Sequence, residues 1–151
     1  MTENLRAGRL SYAERDIILQ TLGTLAQEKY DEEVTHNQYG YNLSLLKGSL
    51  QYESDLIAFE NYYYLENPDP ELNDLAHYFE YGTGLFNTKN RRGPIIPVTK
   101  SILKFRKEWN GIMFARQVKG VRPIFAFTTT VQYMRQNRQH LQREIRLTNG
   151  I

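Results

Sequence analysis

Apolar side chains return every three to four positions in two long stretches of this chain, and alternate in shorter runs between them. In the first stretch Ile18, Leu22 and Leu25 step at helical spacing, with Ile17 and Ala26 beside them and Lys29 next in line. Just ahead, Ser11-Tyr12-Ala13-Glu14 has capping-box spacing. The Ser hydroxyl is placed to accept from an early helix N–H while Glu14 reaches back. The pattern predicts one amphipathic helix over residues 11–35. Its last turns hold Asp31, Glu32 and Glu33; acids there oppose the helix dipole, so that end frays or finds a partner. In the second stretch Ile124, Phe127, Val131, Met134, Leu141 and Ile145 step by 3, 4, 3, 7 and 4. That is one stripe to about residue 146, ended by Asn149-Gly150. Arg122-Pro123 ahead of it puts proline in the favoured first-turn slot.

Between these helices the signals are strand-like. Residues 36–48, with Asn37, Gly40, Asn42 and Gly48, read as a loop. Leu50-Gln51-Tyr52-Glu53 alternates, Ser54-Asp55 can turn, and residues 56–64 are aromatic, which predicts an antiparallel pair. Asn67-Pro68-Asp69-Pro70 breaks regular structure, with room for a short helical turn over residues 71–75. His77-Tyr78-Phe79-Glu80-Tyr81 reads as a third strand stopped by Gly82-Thr83-Gly84. Residues 85–97 form a basic loop without periodicity, of a length at which loops tend to be functional. Asn110-Gly111 is a strong two-residue hairpin turn. It predicts Trp109 opposite Ile112 and Leu103 opposite Val118, with Lys107 and Arg116 extending their charged ends to the edge of one apolar face. Two striped helices need a sheet face to cover. The expected fold is α+β in a single domain: an antiparallel sheet with a long N-terminal and a long C-terminal helix packed on it.

Composition changes this picture little, and charge changes it a good deal. The 151 residues, 40% apolar and 24% charged, suit one ordinary domain. No apolar run approaches the ~20 residues of a membrane span. The opening residues lack the apolar centre of a signal peptide. Cysteine is absent, which excludes disulfides and thiolate chemistry and fits a reducing cytoplasm. The net charge of +2 hides a split: residues 1–88 sum to −10 and residues 89–151 to +12. Such asymmetry bears on association more than on fold. It fits acidic and basic segments that neutralise each other within one domain. It also fits head-to-tail self-association of unlike faces, or a basic face offered to nucleic acid.

No catalytic constellation stands out. His36, His77 and His140 are scattered, so no metal or other cofactor is expected. Gly82-Thr83-Gly84 is too short for a dinucleotide fingerprint. Glu80, an acid among aromatics, reads as half of an ion pair with an arginine of the hairpin rather than as a catalytic base. Eleven tyrosines are many for this length and suit interfaces or stacking on single strands. Tyr62-Tyr63-Tyr64 puts at least one ring on each face of a sheet, so one ring is expected to cover another subunit or a loop.

Two segments carry a family resemblance. Leu75-Ala76-His77-Tyr78-Phe79-Glu80-Tyr81-Gly82-Thr83-Gly84 resembles the YA-x-YVEFGTG core of tailed-phage head–tail joining proteins, also called tail-completion or neck proteins. About forty residues later, Lys119-Gly120-Val121-Arg122-Pro123-Ile124-Phe125 resembles the PG-x-x-P-x-PF opening of that family's C-terminal helix, with Lys119 where the motif begins on proline. The resemblance covers residues 75–135. It implies a non-enzymatic virion protein made in the bacterial host cytoplasm, an α+β subunit of a ring in the neck between head connector and tail. Its partners would be further copies of itself, in a hexamer or alternatively a dodecamer, and the adjoining connector, head-completion and tail proteins. DNA would pass through the lumen, and no membrane is involved. Glu80, Gly82, Thr83, Gly84 and Pro123 carry over as structural residues.

In a ring each subunit meets the next through two different surfaces, and opposite charges would steer that contact. Lys89, Arg91 and Arg92, with Tyr62, Tyr63 and Tyr64, are therefore expected at subunit or ring interfaces. A DNA conduit should not grip its cargo, which argues against the three bases lining the lumen. The alternatives are a basic nucleic-acid-binding module and, further off, a toxin-type ribonuclease.

Overall fold

The computed structural model describes residues 10–83, 86, 88, 103–107, 111–115 and 120–151, of which 103–107 and 111–115 are described by their backbone. The chain runs α1 (Tyr12–Thr35), a short 3-10 turn (Ser44–Leu46), β1 (Leu50–Asp55), β2 (Glu60–Leu65), α2 (Pro70–Tyr81), β3 (Leu103–Lys107), β4 (Gly111–Ala115), α3 (Ala126–Gln136) and α4 (Arg138–Asn149). This is a mixed α+β fold. Among the described residues the strands make two separate antiparallel pairs, β1–β2 and β3–β4.

The first helix begins where the capping box places it. Glu14 donates its N–H to Ser11 Oγ, and Ser11 donates its own to Glu14 Oε1, each at 3.1 Å. Ile18, Leu22, Ala26, Tyr30 and Val34 recur every four residues and are buried, with Leu19 and Gly23 beside them. That stripe is wide because α1 is covered from two sides, by β1 and β2 and by α3 and α4. Ile17, which the pattern put beside the stripe, is 44% exposed. The acidic end finds a partner: Asp31 Oδ1 accepts the Gly48 N–H at 2.9 Å, and Lys29 bridges Glu33 at 2.9 Å.

The first hairpin forms with a turn later than the sequence suggests. Ser54 and Asp55 are still in β1, with Asp55 opposite Glu60, and residues 56–59 make the connection. Asp55 Oδ1 accepts the N–H groups of Ile57 and Ala58, each at 3.0 Å, so Asp55 starts the turn through its side chain. Phe59 closes it at φ 51, an uncommon conformation for a non-glycine residue. Its ring packs against the core, with the Arg15 and Arg138 guanidiniums over it. Along the strands Leu50, Tyr52, Tyr63 and Leu65 face α1. Their neighbours Glu53, Glu60 and Tyr62 face out.

Three further expectations are corrected. Residues 77–81 are not a strand; they finish α2, which starts at Pro70 with Asp69 as its cap, Asp69 Oδ1 accepting the Glu71 N–H at 3.0 Å. Leu72, Leu75, Ala76 and Phe79 make a helical stripe, and packing that stripe overrides the strand preference of the aromatic run. The second hairpin pairs Lys107 with Gly111 and Leu103 with Ala115, so Gly111 is a strand residue and the Trp109–Ile112 register does not form. The C-terminal stripe belongs to two helices that break at Asn137. The first of them opens at Ala126, three residues after Pro123, for reasons given below.

One close contact sets a test of the core. A Cβ on Gly23 would fall 2.2 Å from the Tyr52 ring. G23A is therefore expected to cost about 1–3 kcal/mol in urea unfolding. In a Y52A background the same change should stabilise by up to about 1 kcal/mol, because alanine is the better helix former.

Candidate functional site

The two segments that carry the family resemblance lie about forty residues apart in the chain and meet in space. Glu80 is the centre of the junction. It is 2% exposed and sits in the last turn of α2, aimed at the start of α3. Its Oε2 accepts the Phe127 N–H at 2.8 Å; its Oε1 accepts the Thr128 N–H and the Thr128 hydroxyl, both at 2.8 Å. A helix start exposes N–H groups that lack partners and carries the positive end of the helix dipole. A carboxylate from another helix meets both needs, and the residue before α3, Phe125, makes no side-chain cap.

Backbone bonds extend the junction on either side. Ile124 donates to Phe79 O at 2.7 Å. Thr83 donates its N–H to Val121 O at 3.0 Å, while Val121 donates to Thr83 Oγ1 at 3.0 Å. Gly82 adopts φ +78, and a Cβ there would lie 2.3 Å from Phe86 O and 2.9 Å from Pro123 Cδ. Glycine is needed both for the backbone angle and for the approach of proline. Pro123 is thus packed in the junction and does not fill a first-turn slot. The N–H groups of Val121 and Ile124 go to Thr83 and Phe79 and that of Arg122 to the Tyr41 hydroxyl, Phe125 turns left-handed at φ 53, and the helix starts only where Glu80 can cap it.

Around this point lies a buried polar set that the sequence reading missed. Tyr30 is 2% exposed and shares a hydrogen bond with the Ser49 side chain. Ser49 Oγ also accepts from Asn67 Nδ2 at 2.9 Å. Burial, and then the nearby Glu80 carboxylate, push the Tyr30 phenol well above its ordinary range. The signal for Tyr30 was available, since it continues the four-residue steps of α1. Thr128 had none beyond lying in a run of three threonines.

The remaining site residues sort by location. Glu80 is a helix residue capping a helix, so the strand placement is wrong. The hairpin arginines expected to pair with it lie among residues whose side chains are outside the described ones. Tyr62 is 53% exposed on the outer face of β2, Tyr64 shares that face, and Tyr63 turns inward against the core. Arg122 lies 4.4 Å from the Phe86 ring centroid and 5.7 Å from that of Tyr39. Lys89, Arg91, Arg92 and Gly84 lie outside the described residues. His77 Nε2 bonds Leu65 O at 3.0 Å, tying α2 to β2, and His140 pairs with Glu144 at 3.2 Å. Among the described residues no group of acids and histidines is arranged to hold a metal, and no helix is long and apolar enough to cross a membrane.

This arrangement sets three stability tests. E80A leaves two part-buried N–H groups without their acceptor and should cost about 2–3 kcal/mol, against about 1 kcal/mol for T128A, both by urea unfolding. G82A should cost at least about 2 kcal/mol. Above about pH 10 the unfolded chain releases the Tyr30 proton while the folded chain holds it, so stability falls as pH rises. Y30F should flatten that alkaline decline in thermal melts. No family model, no curated protein and no solved structure matches the chain.

Proposed function

We propose that this chain is a structural subunit of a ring in the neck of a tailed bacteriophage, joining the head connector to the tail and letting DNA pass. One observation carries the reading. The two segments that resemble head–tail joining proteins form a single clamp, with six hydrogen bonds between residues 79–83 and residues 121–128. Distant stretches that share a family pattern and also share one contact behave as one structural motif. The chemistry of the clamp supports a structural role. Both Glu80 oxygens are occupied by donors of α3, which leaves the carboxylate holding two helices together. The charge split supports assembly, because a cyclic ring joins unlike surfaces of identical subunits.

The reading is tested on virions and on the purified chain. The protein should be found at the head–tail junction by electron microscopy of labelled particles. At low salt, or with the adjoining ring, it should run as a multiple of 17.8 kDa in light scattering. A monomer under every condition, with no copy in the particle, would overturn it.

A further inference from the structure

The outer face of the β1–β2 hairpin has no cover among the described residues, and its chemistry is one-sided. Strand alternation puts Glu53, Asp55, Glu60, Tyr62 and Tyr64 on it. At the turn end a groove of about 530 Å³ runs between the hairpin and the start of α1. Tyr12, Ile57 and Tyr62 form its apolar part and are 61%, 81% and 53% exposed. Glu53 and Asp55 rim it, and none of its described lining residues is a lysine or arginine. Desolvation, and then the Glu53 and Glu66 carboxylates, raise the Tyr64 phenol, a sign of the negative field on this face. Glu60 has Arg138 at 3.9 Å, at the margin of an ion pair, with both side chains substantially exposed.

Aromatic and aliphatic side chains inside an acidic rim fit a partner that is basic and presents a flat apolar surface. The sequence of the second hairpin has that composition. β3 carries Lys104, Arg106 and Lys107 in five residues, beside an apolar β4. The β3–β4 pair is a sheet of its own, not joined to β1–β2. A two-stranded hairpin is marginal in water until something covers it. Both hairpins therefore gain by cover, and they carry opposite charge.

We propose that the basic β3–β4 hairpin of a second copy of this chain docks on the outer face of β1–β2. The contact joins unlike patches, so it repeats from subunit to subunit, as the contact in a cyclic ring must. It rests on the ring reading above and names the surfaces that build the ring.

The chain has no cysteine, which makes thiol cross-linking specific. E53C and K104C are placed in separate chains, mixed at low salt and treated with a short bismaleimide. The expected product is a dimer holding one chain of each kind, and a ladder when both changes are in one chain. E53K, at an exposed strand position, should melt like the parent protein and weaken self-association about tenfold or more, and K104E in the partner should restore it. A link only within single chains would overturn the proposal, since the hairpin would then cover its own β1–β2 face. Loss of the mixed dimer on adding short DNA, with no protein ladder, would also overturn it in favour of nucleic acid as the basic hairpin's partner. Rings that form without any E53C–K104C link would sink this interface while leaving the neck reading intact. Absence of the protein from virions would sink the neck reading, whatever the cross-link shows.

Discussion

A carboxylate taken out of water costs several kcal/mol unless charged or strongly polar partners replace the lost hydration. Glu80 recovers that cost from one place, the first amides of α3 and the hydroxyl of Thr128. The same bonds give α3 the cap that its own sequence lacks. Neither helix end is satisfied without the other, so the angle and distance between α2 and α3 are set by hydrogen-bond geometry more tightly than apolar contact alone would set them. The rest of the fold is consistent with that constraint. Pro123 reaches the junction because Gly82 has no side chain, and Phe125 takes up a left-handed turn so that the helix begins at the carboxylate.

Around the clamp, α1 serves as the common wall. Its buried stripe meets the first hairpin on one side and α3 and α4 on the other. Arg15 and Arg138 reach the turn of that hairpin, where they donate to the carbonyls of Leu56 and Phe59. The turn is thereby held from both helix layers, and the outer face of the hairpin is presented on a rigid support. That is the physical link between core and surface: the shape of the turn is held by long-range hydrogen bonds to main-chain carbonyls.

Charge is arranged at a different scale from packing. The halves of the chain carry opposite sign, yet the clamp around Glu80 is made of one carboxylate with amide and hydroxyl donors. Glu53, Asp55 and Glu60 remain on the outer face of β1–β2. Exposed charge laid out in this way does little for the stability of the fold and bears on association instead.

Elements whose signals are local were legible in the residues. The capping box placed the start of α1 to the residue, alternation and aromatic content marked the antiparallel pair of β1 and β2 with its turn set too early, and the Asn110-Gly111 region marked a hairpin. Of the six stripe residues from Ile124 to Ile145, all but Val131 join or pack against the core, spread over two helices and the segment before them rather than over one helix. What failed was whatever a distant partner decides. Residues 77–81 have strand-like side chains and are helical because α2 buries Phe79 and Glu80 while Tyr78 faces out. The hairpin register followed ladder pairing and not the nominal two-residue turn. Pro123 was pulled from a helix start by backbone bonds to Phe79 and Thr83, some forty residues away. By itself the sequence singled out Glu80 as an acid among aromatics, and a resemblance drew attention to Val121–Phe125. Only the tertiary structure decided that they act on each other, because a hydrogen bond across that separation leaves no periodicity in the chain.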